Sequence, residues 1–227
     1  NFGGVRETAL ASNNIISGRT NISSTMIGVL SLVSPTELLY NTIFMTSSQP
    51  STVVGFYSAN MEPALHPEFA NFAGTPPGRV INNIFSLSSY NGAGCGVMGA
   101  LETMHTNDDA LAHLAGPTTL ANNDFFIAGD CSVLAVYGDQ PTAITDQMIV
   151  TVADLNAKTR FAPTDTSSIS GNLAVDPKFV NTATYDFSLT ASSSCIDAGL
   201  EFETGWFDIN GTARPQGAGV DVGAFER

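Results

Sequence analysis

The sequence predicts an all-β chain wound from repeated strand units, and three observations carry that expectation. Charged residues are only 13% of the 227, about half the roughly 25% of an average soluble protein. Ser, Thr, Asn and Gly must therefore cover the surface, which suits strands and turns better than helices faced with Lys and Glu. Asn-led motifs recur at Asn13-Asn14-Ile15-Ile16, Asn41-Thr42-Ile43-Phe44, Asn82-Asn83-Ile84-Phe85 and Asn122-Asn123-Asp124-Phe125-Phe126-Ile127, at intervals of 28, 41 and 40 residues. Each is a polar turn leading into a short apolar strand. Asn tolerates the left-handed region and can hydrogen-bond its counterpart in the next unit, so ladders of Asn side chains along a β-solenoid are expected.

The elements follow in order. Residues 26–33 are an apolar run broken by Gly28 and Ser31 and read as a strand. Residues 34–39 read as a short helical turn with Pro35 near its start. Further strands are expected at 52–57, 96–100, 132–137 and 147–152. The intervals exceed those of compact solenoid repeats, so loops must bulge out at 47–52, 62–78 and 102–119. The second holds Pro63, Pro67, Pro76 and Pro77 and cannot be regular strand. The third contains an N-capped short helix after Asn107, stopped by Gly116-Pro117. Asn210-Gly211 marks a hairpin turn between 206–209 and 212–214.

Net charge is −13, with 8 basic against 21 acidic residues. Phosphate backbones need basic patches, so a nucleic-acid partner is not expected. No apolar run is long enough for a transmembrane helix. Of the three cysteines, Cys95, Cys131 and Cys195, at least one stays unpaired. Cys95 with Cys131 is the candidate disulfide of an extracellular setting, and three buried apolar thiols is the equally open alternative.

The last quarter carries Asp176-Pro177-Lys178-Phe179-Val180, Tyr185-Asp186-Phe187-Ser188-Leu189 and Cys195-Ile196-Asp197-Ala198-Gly199. It ends on Asp208-Ile209-Asn210-Gly211, Arg214-Pro215 and Asp221-Val222-Gly223-Ala224-Phe225-Glu226. Over residues 172–227 this order resembles the C-terminal region of secreted right-handed parallel β-helix proteins of the choice-of-anchor Q type. The resemblance implies a right-handed parallel β-helix, a secreted or cell-surface location, and a C-terminal segment that caps the helix. It also implies structural turn or cap roles for Asp176, Asp197, Asp208 and Asp221, with Asn210 and Gly211 forming the tail's hairpin turn. One domain is expected, with strand units over 1–171 and the closing region over 172–227.

No amphipathic helix precedes Asn13, so an open N-terminal end is expected, covered by head-to-tail contact with another copy. The function expected is that of a non-catalytic surface, matrix or filament protein, with polysaccharide as a further candidate partner. The alternative is a polysaccharide lyase or glycoside hydrolase of the β-helix type. A lyase needs a basic group near a sugar carboxylate, and Lys158 and Arg160 are the best basic pair. A hydrolase needs paired carboxylates, for which Asp130 is a candidate. The plainer reading of Lys158 and Arg160 is a charged strand edge. His105 and His113 match no metal-ligand spacing, so no metal is expected. Calcium could take oxygens at the Asp and Asn turns, but no contiguous calcium loop is present.

Overall fold

The computed structural model describes residues 9–32, 36–49, 51–60, 78–88, 98–105, 118–128, 135–139, 148–149, 151–157, 168–203 and 205–227. The protein is all-β, in parallel sheets. Its elements are β1 (Ala9–Ser12), β2 (Ile15–Thr20), β3 (Thr25–Leu32), β4 (Thr36–Leu39), β5 (Thr42–Ser47), β6 (Thr52–Asn60), β7 (Arg79–Ile81) and β8 (Ile84–Ser88). There follow β9 (Met98–His105), β10 (Thr119–Ala121), β11 (Asp124–Ala128), β12 (Ala135–Asp139), β13 (Met148–Ile149), α1 (Val152–Ala157), β14 (Ser168–Ser170), β15 (Phe179–Asn181) and β16 (Asp186–Leu189).

Successive strands go to three sheets in turn. Sheet A has the order β1-β4-β7-β10-β14, sheet B β2-β5-β8-β11, and sheet C β3-β6-β9-β12 with β13 added at one edge. Pairing is parallel throughout these sheets except for β12 with β13. Parallel register stacks like residues into columns. Ala11, Leu38, Val80, Leu120 and Ile169 form one across sheet A. Ile16, Ile43, Phe85 and Phe125 form another across sheet B. Both columns point into one core with Val53 and Phe56 of sheet C. The Phe85 and Phe125 rings stack at 5.2 Å. Each such buried side chain contributes about 1.5–3 kcal/mol of apolar burial. Gly55 keeps space for this stack, since a Cβ there would sit 2.6 Å from Phe85 Cδ1.

Between sheets A and B the chain turns through one left-handed residue: Asn13, Tyr40, Asn82, Asn122 or Gly171, with φ of 54°, 58°, 58°, 50° and 66°. The residue that follows is always Asn: Asn14, Asn41, Asn83, Asn123 and Asn172. These five form a continuous ladder. The backbone N–H and the Nδ2 of each donate to Oδ1 of the next, at 2.9–3.1 Å from Asn14 to Asn172. The Nδ2 atoms also donate to backbone carbonyls, for example Asn83 to Leu38 at 2.8 Å. Asn41, Asn83 and Asn123 are fully buried. Only an amide offers the two donors and the acceptor this needs on so short an arm. The sequence motif is thus one residue out at the second unit: Asn41 aligns with Asn14, and Tyr40 fills the left-handed position.

Three expected elements change. Residues 36–39 are strand β4 rather than helical turn, because Leu38 belongs to the core column and Leu39 to a second buried cluster. Of the expected strand 147–152, β13 keeps two residues and the chain turns into α1 at Val152. There Thr151 Oγ1 accepts from Asp154 N at 3.0 Å and donates to Asp154 Oδ2 at 2.7 Å, an N-terminal cap. Glu102 to His105, expected in a loop, belong to β9. The expected helix after Asn107 lies outside the described residues. The far end of the ladder is also met by a segment ahead of residue 172. The end of the ladder is met by α1, with Asn156 Oδ1 accepting from Asn172 N and Nδ2 at 3.2 and 2.9 Å and Leu155 wholly buried in the core. Asn172 and Leu173 continue the stack, Leu173 in a parallel bridge to Asp124, and the later tail pairs with the turn residues along the flank.

Asn83→Ala is expected to lower unfolding free energy by about 3 kcal/mol, since it strands the buried Asn41 amide and three donor contacts. Asn14→Ala, at the exposed ladder end, should cost less than about 1 kcal/mol. Urea denaturation of both variants checks this, and equal small losses would remove the ladder's role.

Candidate functional site

The tail makes contact with the left-handed turn residues in reverse order. Asn122 Nδ2 donates to Ala198 O at 3.0 Å. Asn82 forms a two-way pair with Leu200, accepting from its N at 2.7 Å and donating to its O at 2.9 Å. The Tyr40 ring lies 5.7 Å from Phe202 and 5.8 Å from Trp206. Arg214 sits 4.4 Å over Tyr40 and donates to Asn13 Oδ1 at 3.3 Å. Side chains at the turns therefore serve twice: the backbone angle sets the bend, and the outward group holds the tail.

The tail's own order rests on three buried carboxylates and one buried cation. Glu226 Oε2 accepts from Arg214 Nη1 at 2.7 Å and from Asp221 N at 2.9 Å. Asp208 Oδ1 accepts from Asn210 N and Thr212 N at 2.8 and 2.7 Å, and Oδ2 accepts from Glu226 N at 3.1 Å. Asp221 accepts from Asp197 N at 2.8 Å and Arg227 N at 2.9 Å. Asn210 and Gly211 form a tight turn, with Gly211 at φ 82° and an antiparallel bridge between Phe207 and Ala213. Asp197 is left-handed, at φ 55°, and accepts from Gly219 N at 2.9 Å. Asp176 accepts from Lys178 N at 2.9 Å.

Burial raises the Asp208 carboxyl, but the N–H groups of Thr212, Glu226 and Asn210 outweigh it and hold it below the usual range. Burial pushes Asp221 up to about 6 against the N–H groups of Asp197 and Arg227, with the Glu226 charge adding to the rise. Asp124, fully buried at the start of β11, is pushed up to about 7 by burial. It accepts from Val175 N at 2.9 Å and from the buried, unbridged Cys195 thiol at 3.6 Å.

A second part of the tail, the β15–β16 arm, lies over the outer face of sheet B. Phe187 and Phe179 approach the Phe44 ring at 5.0 and 6.3 Å. Arg19 lies between Phe44 and Tyr185, at 5.5 and 5.0 Å from the ring centres, and donates to Thr182 O. Beside these contacts opens a cleft of about 470 Å³. Its floor and sides are Ser86 between Phe44 and Phe126, adjacent residues in register across β5, β8 and β11. Asp176, Val180 and Asn181 stand at its rim.

Lys158, Arg160, Asp130, Cys95 and Cys131 lie outside the described residues, as does His113. Among the described residues no group of three or more His, Cys, Asp or Glu side chains could hold a metal ion. No described helix is long and apolar enough to cross a membrane. Arg214 and Glu226 gave no functional signal in the sequence, whereas Asp124 is one of the carboxylates near strands that a hydrolase reading would weigh. Arg214 and Glu226 stood inside the tail blocks, but their pairing depends on a fold-back that spacing does not reveal. Searches against family models, curated proteins and solved structures find no match to this chain.

Raised carboxylate pKa values favour the proton-bound folded state. The stability from Asp124 and Asp221 is therefore complete below the ordinary carboxylate pKa and is lost as pH rises through about 6 to 7. The Tm of the wild type should fall between about pH 5 and pH 8, and Asp124→Asn should fall distinctly less. Parallel thermal-denaturation profiles for the two proteins would contradict this assignment.

Proposed function

We propose that the chain is a right-handed parallel β-helix acting as a non-catalytic structural protein of an extracellular surface or matrix, associating through one end of its strand stack and presenting its flank to glycans. The observation that carries this reading is the three-sheet rotation threaded by one Asn ladder. Each unit hands its backbone and amide groups to the next, as a repeating scaffold requires. The tail's resemblance to secreted β-helix proteins supports the location. The buried ionisable groups of the tail support a structural role, since each carboxylate is taken up by backbone N–H groups or by Arg214.

The two ends of the stack differ. α1 and Asn156 occupy the last position of the ladder. At the other end, among the described residues, β1, β2 and β3 have a neighbour on one side only and no donor reaches Asn14 Oδ1. Leu10, Ile22, Ile27 and Leu30 are exposed there, and an apolar hollow of about 270 Å³ opens beside Ile16 and Met26. With one end carrying α1, the reading favours contact between two like faces over head-to-tail stacking. Two like faces close into a pair rather than extending a filament.

Sedimentation velocity of the chain should show a concentration-dependent dimer. Ile27→Lys combined with Leu30→Lys should return it to monomer without loss of β-sheet circular dichroism. A strictly monomeric wild type across the micromolar range contradicts self-association.

A further inference from the structure

The cleft between sheet B and the tail arm has the features of a ligand site. Ser86 is 7% exposed and lines the cleft, and among the described residues its hydroxyl is not a sealed, unpartnered group but opens toward the cleft. Neighbouring parallel strands are about 4.8 Å apart. Phe44 and Phe126 therefore stand roughly 9–10 Å apart on either side of Ser86. The Phe44 ring is already packed by Phe187, Phe179 and Arg19, so Phe126 is the aromatic wall beside Ser86 against which a sugar ring can lie.

The rim supplies the complementary polar groups. Asp176 uses Oδ1 on Lys178 N and keeps Oδ2, an acceptor. Asn181 uses Oδ1 on Ala183 N and keeps Nδ2, a donor. The cations nearby are already engaged: Arg19 with Phe44, Tyr185 and Thr182 O, and Lys178 Nζ with Ser192 O at 3.2 Å. A carboxylate at the rim and a net charge of −13 make an anionic ligand unfavourable. The volume of about 470 Å³ falls in the range of small-ligand sites, roughly 300–1,000 Å³.

From this juxtaposition we propose that the cleft binds one ring of a neutral saccharide, with a C–H face against Phe126 and its hydroxyls on Ser86, Asp176 and Asn181. The proposal deepens the glycan-facing part of the proposed function and rests on it. It is independent of self-association, which involves the first strands rather than this flank.

The test is a titration of the isotopically labelled full chain with cellohexaose, laminarihexaose and mannohexaose, read by amide chemical shifts. At least one should shift the amides of Ser86, Phe126 and residues 178–181 saturably, with a Kd in the micromolar to millimolar range. Phe126→Ala should weaken it about tenfold or more and Ser86→Ala about threefold. Phe207→Ala, at an exposed position in the tail hairpin, should leave it unchanged. Ser86→Ala is nearly isosteric, so it keeps the test open if Phe126→Ala folds poorly. No shift with any of the three sugars overturns the proposal. So does binding that both cleft variants leave intact, or binding only to a hydrophobic peptide probe such as Ac-Phe-Val-NH2. Failure here with the dimer intact would remove the saccharide site and keep the scaffold.

Discussion

The Asn ladder is the interaction on which the rest of this structure depends. An all-parallel arrangement must bend its backbone between sheets, and each bend places polar groups inside. Left unmatched, a buried amide costs about 1–3 kcal/mol. The ladder meets that cost by handing each backbone N–H to the side-chain oxygen of the next unit. Because the arm is short, it also fixes the vertical spacing and therefore the register of sheets A and B. Register in turn decides which residues face the core: Ile43, Phe85 and Phe125 point in, and Phe44, Ser86 and Phe126 point out.

The outward consequence is the tail's course. The left-handed residues of four turns, Asn13, Tyr40, Asn82 and Asn122, project their side chains from the flank in a regular row. The tail reads that row and is held by it. Arg214 is the centre of this attachment, since it joins Glu226, Tyr40, Asn13 and the Gly223 carbonyl. A buried ion pair gives little net stability after desolvation. Its value here is specificity, because only one path of the tail brings Glu226, Asp221 and Asp208 round one guanidinium.

Much of the inward architecture was legible in the sequence. The Asn pairs announce their turns, and Asn210-Gly211 announces its hairpin, because both are local conformational requirements. Tyr40 was not legible as a turn residue. Its left-handed φ is tolerated because the ring is buried under Phe202, Trp206 and Arg214, a tertiary reason. Asn172 was hidden by its distance of 49 residues from Asn123. The role of α1 was missed because Leu155 and Asn156 look like part of an ordinary polar segment until an end of the stack is there to meet them. The cleft was illegible for the same reason: Ser86 lies about 90 residues from Asp176 and Val180 in sequence, and only register across three strands and the return of the tail bring them together.

Native-state hydrogen exchange of the ladder amides tests the central claim most directly. With increasing urea, the backbone amides of Asn41, Asn83 and Asn123 should exchange only through global unfolding, with the slope and free energy of the whole protein. Separate openings of individual units, each with a small urea slope and its own free energy, would contradict the account.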